Sequence, residues 1–283
     1  MAGPARAPRR YARGMCGRYT LTQQGQLVAD LELALDHPVA GPVREDGADA
    51  AELAWWRPRW NIAPTQPAPV VLLEDGARVL HLLRWGLVPH WAKDLRVGAS
   101  MINARAETVF DKPAFRDAIR RRRCLVPADG FYEWLRPDGP RGRALPQYIA
   151  PPPGTVTAFA GIWERWRDPT GRWQRSYAIV TVPPDPIVAG IHDRMPLVLP
   201  RAARAAWLDP SLTEPDAVRA LLAPGPLVGW TVRAVSPRVG KPEHDDPACL
   251  DAPTEAELAP ALPPARRPAG RARKPPSGQG SLF

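Results

Sequence analysis

The sequence predicts an α+β fold: a single domain with a mainly antiparallel, barrel-like β core and peripheral helices. Three observations lead there. The middle of the chain is a succession of apolar, β-branched and aromatic runs of strand length, separated by Gly, Pro and Asp turns. The few stretches with helical spacing are set between groups of these runs and do not alternate with them one for one, which favours α+β over a parallel sheet. No stretch approaches about eighteen consecutive apolar residues, so no membrane span is expected.

Taken in order, Leu27, Leu31 and Leu35 recur at helical spacing and predict a helix near 22–35. A polar loop, "DHPVAGPVREDGADA" (36–50), follows it. Strands are expected in "APVVLLE" (68–74), "RVLHLLRWGLV" (78–88), "RCLVPADGFYEW" (123–134), "TVTAFAGIWERW" (155–166), "RSYAIVTV" (175–182) and "GWTVRAV" (229–235). Helices are expected over 113–122, 201–208 and 213–223, the last two starting after Pro200 and Ser211. No internal repeat is visible. With 283 residues and 45% hydrophobic composition, the chain is long enough to bury a substantial core.

Charge and cysteine usage narrow the function. The net charge is +9, but residues 1–14 supply +4 of it and residues 252–283 another +3. Only +2 remains for residues 15–251, so a polyanion site on the folded part must be local. Residues 1–14 have four Arg and no acid, but no apolar run follows them, so they do not read as a secretory signal. Pro4 and Pro8 also argue against a transit peptide. Three cysteines (Cys16, Cys124, Cys249) without a C-x-x-C pair argue against a disulfide framework and favour a cytoplasmic protein. The five histidines lack metal-ligand spacing, and no metal or other cofactor is expected. The Pro-, Ala- and Arg-rich end from Ala252 to Phe283 reads as a disordered tail.

Six segments stand out from this background: "MCGRYT" (15–20), "RWNIAPTQPAPV" (59–70), "RWGLVPHWA" (84–92), "MINARAET" (101–108), "ADGFYEW" (128–134) and "GIHDRMPLVL" (190–199). In this order, from Met15 to about Leu250, the chain resembles the SRAP family, the SOS-response-associated peptidases or abasic-site-processing proteins. The resemblance implies an SRAP domain over 15–251, preceded by an extension (1–14) outside the active chain. It also implies covalent capture of abasic sites in single-stranded DNA, within the DNA damage response and at the nucleoid. By matching motif, Cys16 is the reactive residue, and Asn103, Glu133 and His192 are its catalytic partners. A monomer is expected. The segment "VSPRVGKPEHDDPACL" departs from the family pattern, with His244 and Asp245 where Asn-rich sequence is usual.

The chemistry is arguable from the residues. An N-terminal cysteine has an amine of pKa roughly 7.7–8.0 and a thiol of about 8.5, so neutral amine is present at neutral pH. The amine condenses with an aldehyde and the thiol closes a thiazolidine. An internal cysteine forms only a labile hemithioacetal. The functional chain is therefore expected to begin at Cys16, after loss of Met15, which the protein itself is a candidate to remove. Glu133 and His192 suit proton transfer, and Asn103, which does not titrate, suits positioning. Arg18, Arg105 and Arg194 suit phosphate contact, Trp85 and Trp134 suit base stacking, and Gly17 permits close backbone approach. Asn61, in "RWNIAPT", completes the expected DNA-binding set. The run "AIRRRRC" (118–124) reads as a solvated helix end with favourable C-terminal charge more readily than as a DNA contact.

Two rival readings remain open. One is a thiol peptidase with Cys16 as nucleophile and His192 as base. The other is a non-covalent single-strand binder with salt-reversible complexes. The last five residues, "QGSLF", resemble the Q-x-x-L-F peptides that bind replicative sliding clamps. Gln279, Leu282 and Phe283 are the expected anchors, on a tether spanning roughly 25–30 Å.

Overall fold

A computed structural model of the chain describes residues 17–33, 57–136 and 144–258. Cys16, the extension before it and the QGSLF end lie outside the described residues. Among those described, β1 (Tyr19–Leu21), α1 (Gln24–Leu31) and β2 (Arg59–Ile62) come first. They are followed by β3 (Pro67–Glu74), β4 (Ala77–Trp85), β5 (Asn103–Arg105) and α2 (Arg116–Arg121). The middle of the chain forms β6 (Arg123–Ala128), β7 (Gly130–Leu135), β8 (Leu145–Ala150), β9 (Thr157–Arg167) and β10 (Trp173–Val182). Then come α3 (Pro186–Ala189), β11 (Met195–Pro196), α4 (Arg204–Leu208), α5 (Pro215–Ala220), β12 (Thr231–Ala234) and α6 (Glu255–Leu258).

Strands β10, β4, β3, β6 and β9 pair in that order, and β9 pairs back onto β10. The ring closes a five-stranded barrel, which leaves those strands without an open edge along their paired lengths. β4 and β5 run parallel to β10, and the other pairs are antiparallel. A second sheet in the order β12-β8-β7-β1-β2 packs beside the barrel. Aromatic rings fill the space between the two layers. Tyr19 meets Trp85 edge-on at 5.2 Å, and Phe131 meets Phe159 at 6.0 Å. The Tyr19 and Tyr177 hydroxyls bond at 2.7 Å, so each buried phenol has a partner.

The expected single strand 123–134 is two strands in two different sheets. The break falls at Asp129, whose carboxylate accepts bonds from Thr20 Oγ1, the Thr22 amide, Thr22 Oγ1 (2.7 Å) and the Gln23 amide (2.9 Å). These bonds turn the chain out of the barrel and onto β1. Gly130 follows because the Tyr148 ring lies where a side chain would start. The Arg run also differs from expectation at its end. Arg123 is buried and donates to the carbonyls of Ile119, Arg120, Trp207 and Asp209, closing the C-terminal ends of α2 and α4. Residues 252–258, at the start of the compositional tail, include α6, and Thr254 and Glu257 bond each other's backbone amides as a capping box.

Substituting Gly130→Ala is expected to cost about 1–3 kcal/mol through overlap with Tyr148. Gly190→Ala, where a Cβ meets nothing within 4 Å, should stay within about 0.5 kcal/mol of wild type. Denaturant midpoints of the two variants check this, and equal midpoints contradict it.

Candidate active site

Three of the expected site residues are delivered by three different devices. Asn103 opens β5, whose residues pair in parallel with Ile179, Val180 and Thr181 of β10. The loop before it is held close to β4: the Trp85 indole donates to the Ile102 carbonyl at 2.9 Å, and the Leu87 amide donates to Met101 at 3.1 Å. Gly86 has φ +114°, and a Cβ there would overlap the backbone of Gly98, so the close approach of the two segments needs this glycine. Glu133 lies on β7, opposite Gln147 of β8, and is buried.

His192 comes from a turn. Asp185 caps α3, accepting from the Ile187 amide at 3.0 Å, and its second oxygen takes the Leu227 amide at 3.1 Å. The His192 amide then donates back to Val188 at 3.0 Å. The imidazole is nearly buried, with Nε2 4.0 Å from Glu133 Oε2. Its Nδ1 faces a donor, the Arg194 amide at 3.0 Å, and two acceptors, the Arg194 carbonyl and Asp193 Oδ1, each at 3.2 Å.

The Asn103 and His192 segments are tied together by one ion pair. Arg194 donates to both oxygens of Glu107, at 2.6 and 2.8 Å, and Glu107 follows Asn103 by four residues. Partial burial pushes the Glu107 carboxyl up, but the Arg194 hydrogen bonds, a backbone bond and the charges of Arg194 and Arg105 outweigh it and hold it below its ordinary value. Arg105 itself is exposed. Gly17 and Arg18 open the described chain beside β7, where the Arg18 carbonyl accepts from the Tyr132 amide at 3.0 Å. The chain thus enters next to the residue preceding Glu133.

Other expected contacts fall elsewhere. Trp85 is 1% exposed, stacked near Tyr177 and edge-on to Tyr19, so its ring is part of the core and is not presented to a base. Asn61 is fully buried. Its amide nitrogen directs two hydrogens at the carbonyls of Val239 (3.1 Å), Lys241 (3.0 Å) and His244 (2.6 Å), all within hydrogen-bond distance, and its oxygen accepts from Arg18 at 3.2 Å. With those atoms committed, Asn61 pins the 239–244 loop. Arg18 serves the same loop, donating to Val239 and Gly240 carbonyls. Asp245 closes the arrangement by accepting from the Trp60 and Asn61 amides and from Arg59. The departure from family pattern at His244–Asp245 is therefore a docking device. Trp134 is half-buried against the cluster of Tyr132, Tyr148 and Val239.

Sequence reading passed over Glu107 and Asp185. Asp185 was legible as a cap followed by Pro186 at the first helical position. Glu107 had no such signal, because its partner lies 87 residues away. Among the described residues, no group of three or more His, Cys, Asp or Glu is placed to hold a metal ion.

A barrel of this type, with an imidazole facing a buried carboxylate beside the first described residues, defines a fold shared with known proteins. Residues 15–242 match the family model described as SOS response associated peptidase (SRAP). "Abasic site processing protein YoqW" of Bacillus subtilis is 35% identical over 237 residues, covering 84% of this chain and 99% of that protein. "Abasic site processing protein HMCES" of Rattus norvegicus is 30% identical over 241 residues, covering 70% of this chain and 68% of that protein. A crystal structure from Bacteroides thetaiotaomicron superposes with a TM-score of 0.70 at 23% identity, covering 84% of this chain and all of that one, and shows the same fold. The chain belongs to the SRAP family.

If Asn61 pins the loop, Asn61→Asp sets a carboxylate against three carbonyls and should cost at least about 2 kcal/mol of stability. Chemical denaturation checks this. A variant with wild-type stability and reduced DNA affinity would return Asn61 to the DNA surface.

Proposed function

We propose that the protein captures the ring-opened sugar of an abasic site in single-stranded DNA on Cys16, as a thiazolidine. The observation that carries this reading is the entry of Gly17–Arg18 against β7 beside buried Glu133 and its neighbour His192, with Cys16 bonded directly to Gly17. The relatives named abasic site processing proteins support the same substrate.

The steps balance without an oxidant or a cofactor. The Cys16 amine attacks the aldehyde carbon C1′, and loss of one water gives an imine. The thiol then adds across the C=N bond, its sulfur to the same carbon and its proton to the nitrogen, closing a five-membered ring with one C–N and one C–S bond. Glu133 accepts the proton released by the attacking amine and returns one to the departing hydroxyl. His192 protonates the ring oxygen as its bond to C1′ breaks, and the C1′ hydroxyl gives its proton to solvent to leave the aldehyde. Asn103 orients the reactants, while Arg105 and Arg194 take the flanking phosphates, with Arg194 exchanging Glu107 for phosphate. Trp134, adjacent to Glu133, supplies a face for a neighbouring base. The reading requires cleavage of the Met15–Cys16 bond, and we assign that hydrolysis to the same site.

Protein started at Met15 should therefore lose Met15 and form a boil-resistant adduct with abasic single-stranded DNA, whereas Cys16→Ala should form none. Glu133→Gln and His192→Ala should slow single-turnover adduct formation by about 10²–10⁴-fold. Cys16→Ala crosslinking like wild type would end this reading, and unchanged rates in both other variants would remove those residues from it.

The C-terminal Gln279, Leu282 and Phe283 lie outside the described residues, and their role stands on sequence. We propose that they seat in the hydrophobic cleft of the replicative sliding clamp, raising the local concentration of the reactive cysteine at stalled forks. A peptide ending in QGSLF should bind the clamp at about micromolar strength by calorimetry. Replacing both Leu282 and Phe283 by Ala should abolish that binding without changing the crosslinking of free oligonucleotides.

A further inference from the structure

One surface of the fold takes no part in the site described above. The β9–β10 hairpin runs beyond its neighbours: β6 pairs with β9 only as far as Ile162, and β4 pairs with β10 only from Ser176 onward. On this overhang the same-face positions of β9 are Trp163, Arg165 and Arg167, and across the register stand Trp173 and Arg175. Trp173 is 54% exposed, with the guanidinium groups of Arg165 and Arg167 over its ring at 5.1 and 5.9 Å. Arg175 lies 5.5 Å from the Trp163 ring. Such a surface interleaves cations with flat apolar faces, and none of its five positions is a carboxylate.

A cleft of about 500 Å³ opens beside it, bordered by Arg121, Arg122, His90, Asp117, Glu164 and the ring of Trp173. Three of the nearby acids are paired with arginines, and Asp117 lies 4.0 Å from Arg116. Glu164 pairs with Arg122 at 2.7 Å, Asp168 with Arg172 at 3.6 Å, and Glu74 with Arg175 at 3.3 Å. Arg121, Arg165 and Arg167 have no carboxylate partner among the described residues, which leaves the surface locally basic in a domain that carries only +2 over residues 15–251.

The geometry points to a second DNA-binding surface here, which takes the single-stranded flank of the same strand whose lesion sits at Asn103 and Glu133. The placement rests on the proposed function. Phosphates suit the guanidinium groups and a base suits the exposed indole, whereas an apolar protein partner would meet uncompensated charge. Strand β10 links the two places: Trp173 starts it, and Ile179, six residues on, is the register partner of Asn103. At about 3.3 Å per residue this separation is roughly 20 Å. A short oligonucleotide centred on the lesion does not reach the hairpin, and a longer one does.

The test compares wild type with the double variant Arg165→Glu/Arg167→Glu and with Trp173→Ala. Each has an exposed side chain outside the reactive site, and thermal midpoints confirm folding. Equilibrium binding is measured with undamaged single strands, so that the result does not depend on Cys16 chemistry. Oligonucleotides of about four and about sixteen nucleotides bracket the reach of a single binding groove. Wild type should bind the longer strand about tenfold or more tightly, with a steeper salt dependence. The charge variant should lose that gain and about 1.4 units of the log–log salt slope, corresponding to two phosphate contacts at about 0.7 each. Trp173→Ala should lose part of the gain. Adduct rates on abasic strands of the two lengths should follow the same pattern. A length gain that persists in the charge variant, or is missing from wild type, overturns the proposal. Absence of adduct with the binding pattern intact would instead count against the proposed chemistry alone.

Discussion

The site depends on where the short strand after Cys16 is held. Tyr19–Leu21 is only three residues long, yet it lies between β7 and β2, and its first side chain reaches across to the barrel. Tyr19 contacts Trp85 and Phe159 and bonds the Tyr177 hydroxyl. One residue later, Thr20 is bound by Asp129 and by the Tyr148 hydroxyl at 3.0 Å. A strand this short has little pairing energy of its own. Its position comes from a fully buried aromatic side chain, worth roughly 1.5–3 kcal/mol in transfer free energy alone, and from the charge-assisted bonds of Asp129. Gly17 and Arg18 therefore meet β7 with little freedom, next to Glu133.

Around that anchor, each candidate site residue is carried by a different part of the fold. Asn103 belongs to a strand added to the barrel wall, Glu133 to the second sheet, and His192 to a capped turn. The Arg194–Glu107 pair spans two of these parts, and the Asn61–Arg18–Asp245 set fixes the loop over 239–245 to β2 and to the residues ahead of β1. Polar atoms in these links are matched donor to acceptor, which makes their geometry specific and their loss costly.

Much of this architecture was legible in the sequence because its long strands carry their own signal. Val70, Val71, Leu80, Phe159 and Ile179 are all buried in runs long enough to declare themselves. β1 and β5, at three residues each, are too short for any period to show. The division of 123–134 between two sheets was hidden because the partners of Asp129 are 106–109 residues away. The motifs name Glu133 and His192, and the fold brings their side chains to 4.0 Å. Trp85 and Asn61, named by the same motifs, are buried, one in core packing and the other in bonds to the 239–244 loop. Nothing local distinguishes Trp85, buried by Tyr19 and Tyr177, from Trp91, which is 53% exposed six residues later. Only the tertiary neighbours decide.

The central claim is that amine and thiol of one residue, Cys16, act together. Mass spectrometry of the peptide–nucleotide adduct after digestion tests it most directly. A thiazolidine has the summed mass of peptide and aldehyde less one water, survives without a reductant, and is not formed when the Cys16 amine has been acetylated. An adduct of the full summed mass with no water lost, formed equally well by the acetylated protein, would be a hemithioacetal and would contradict the account.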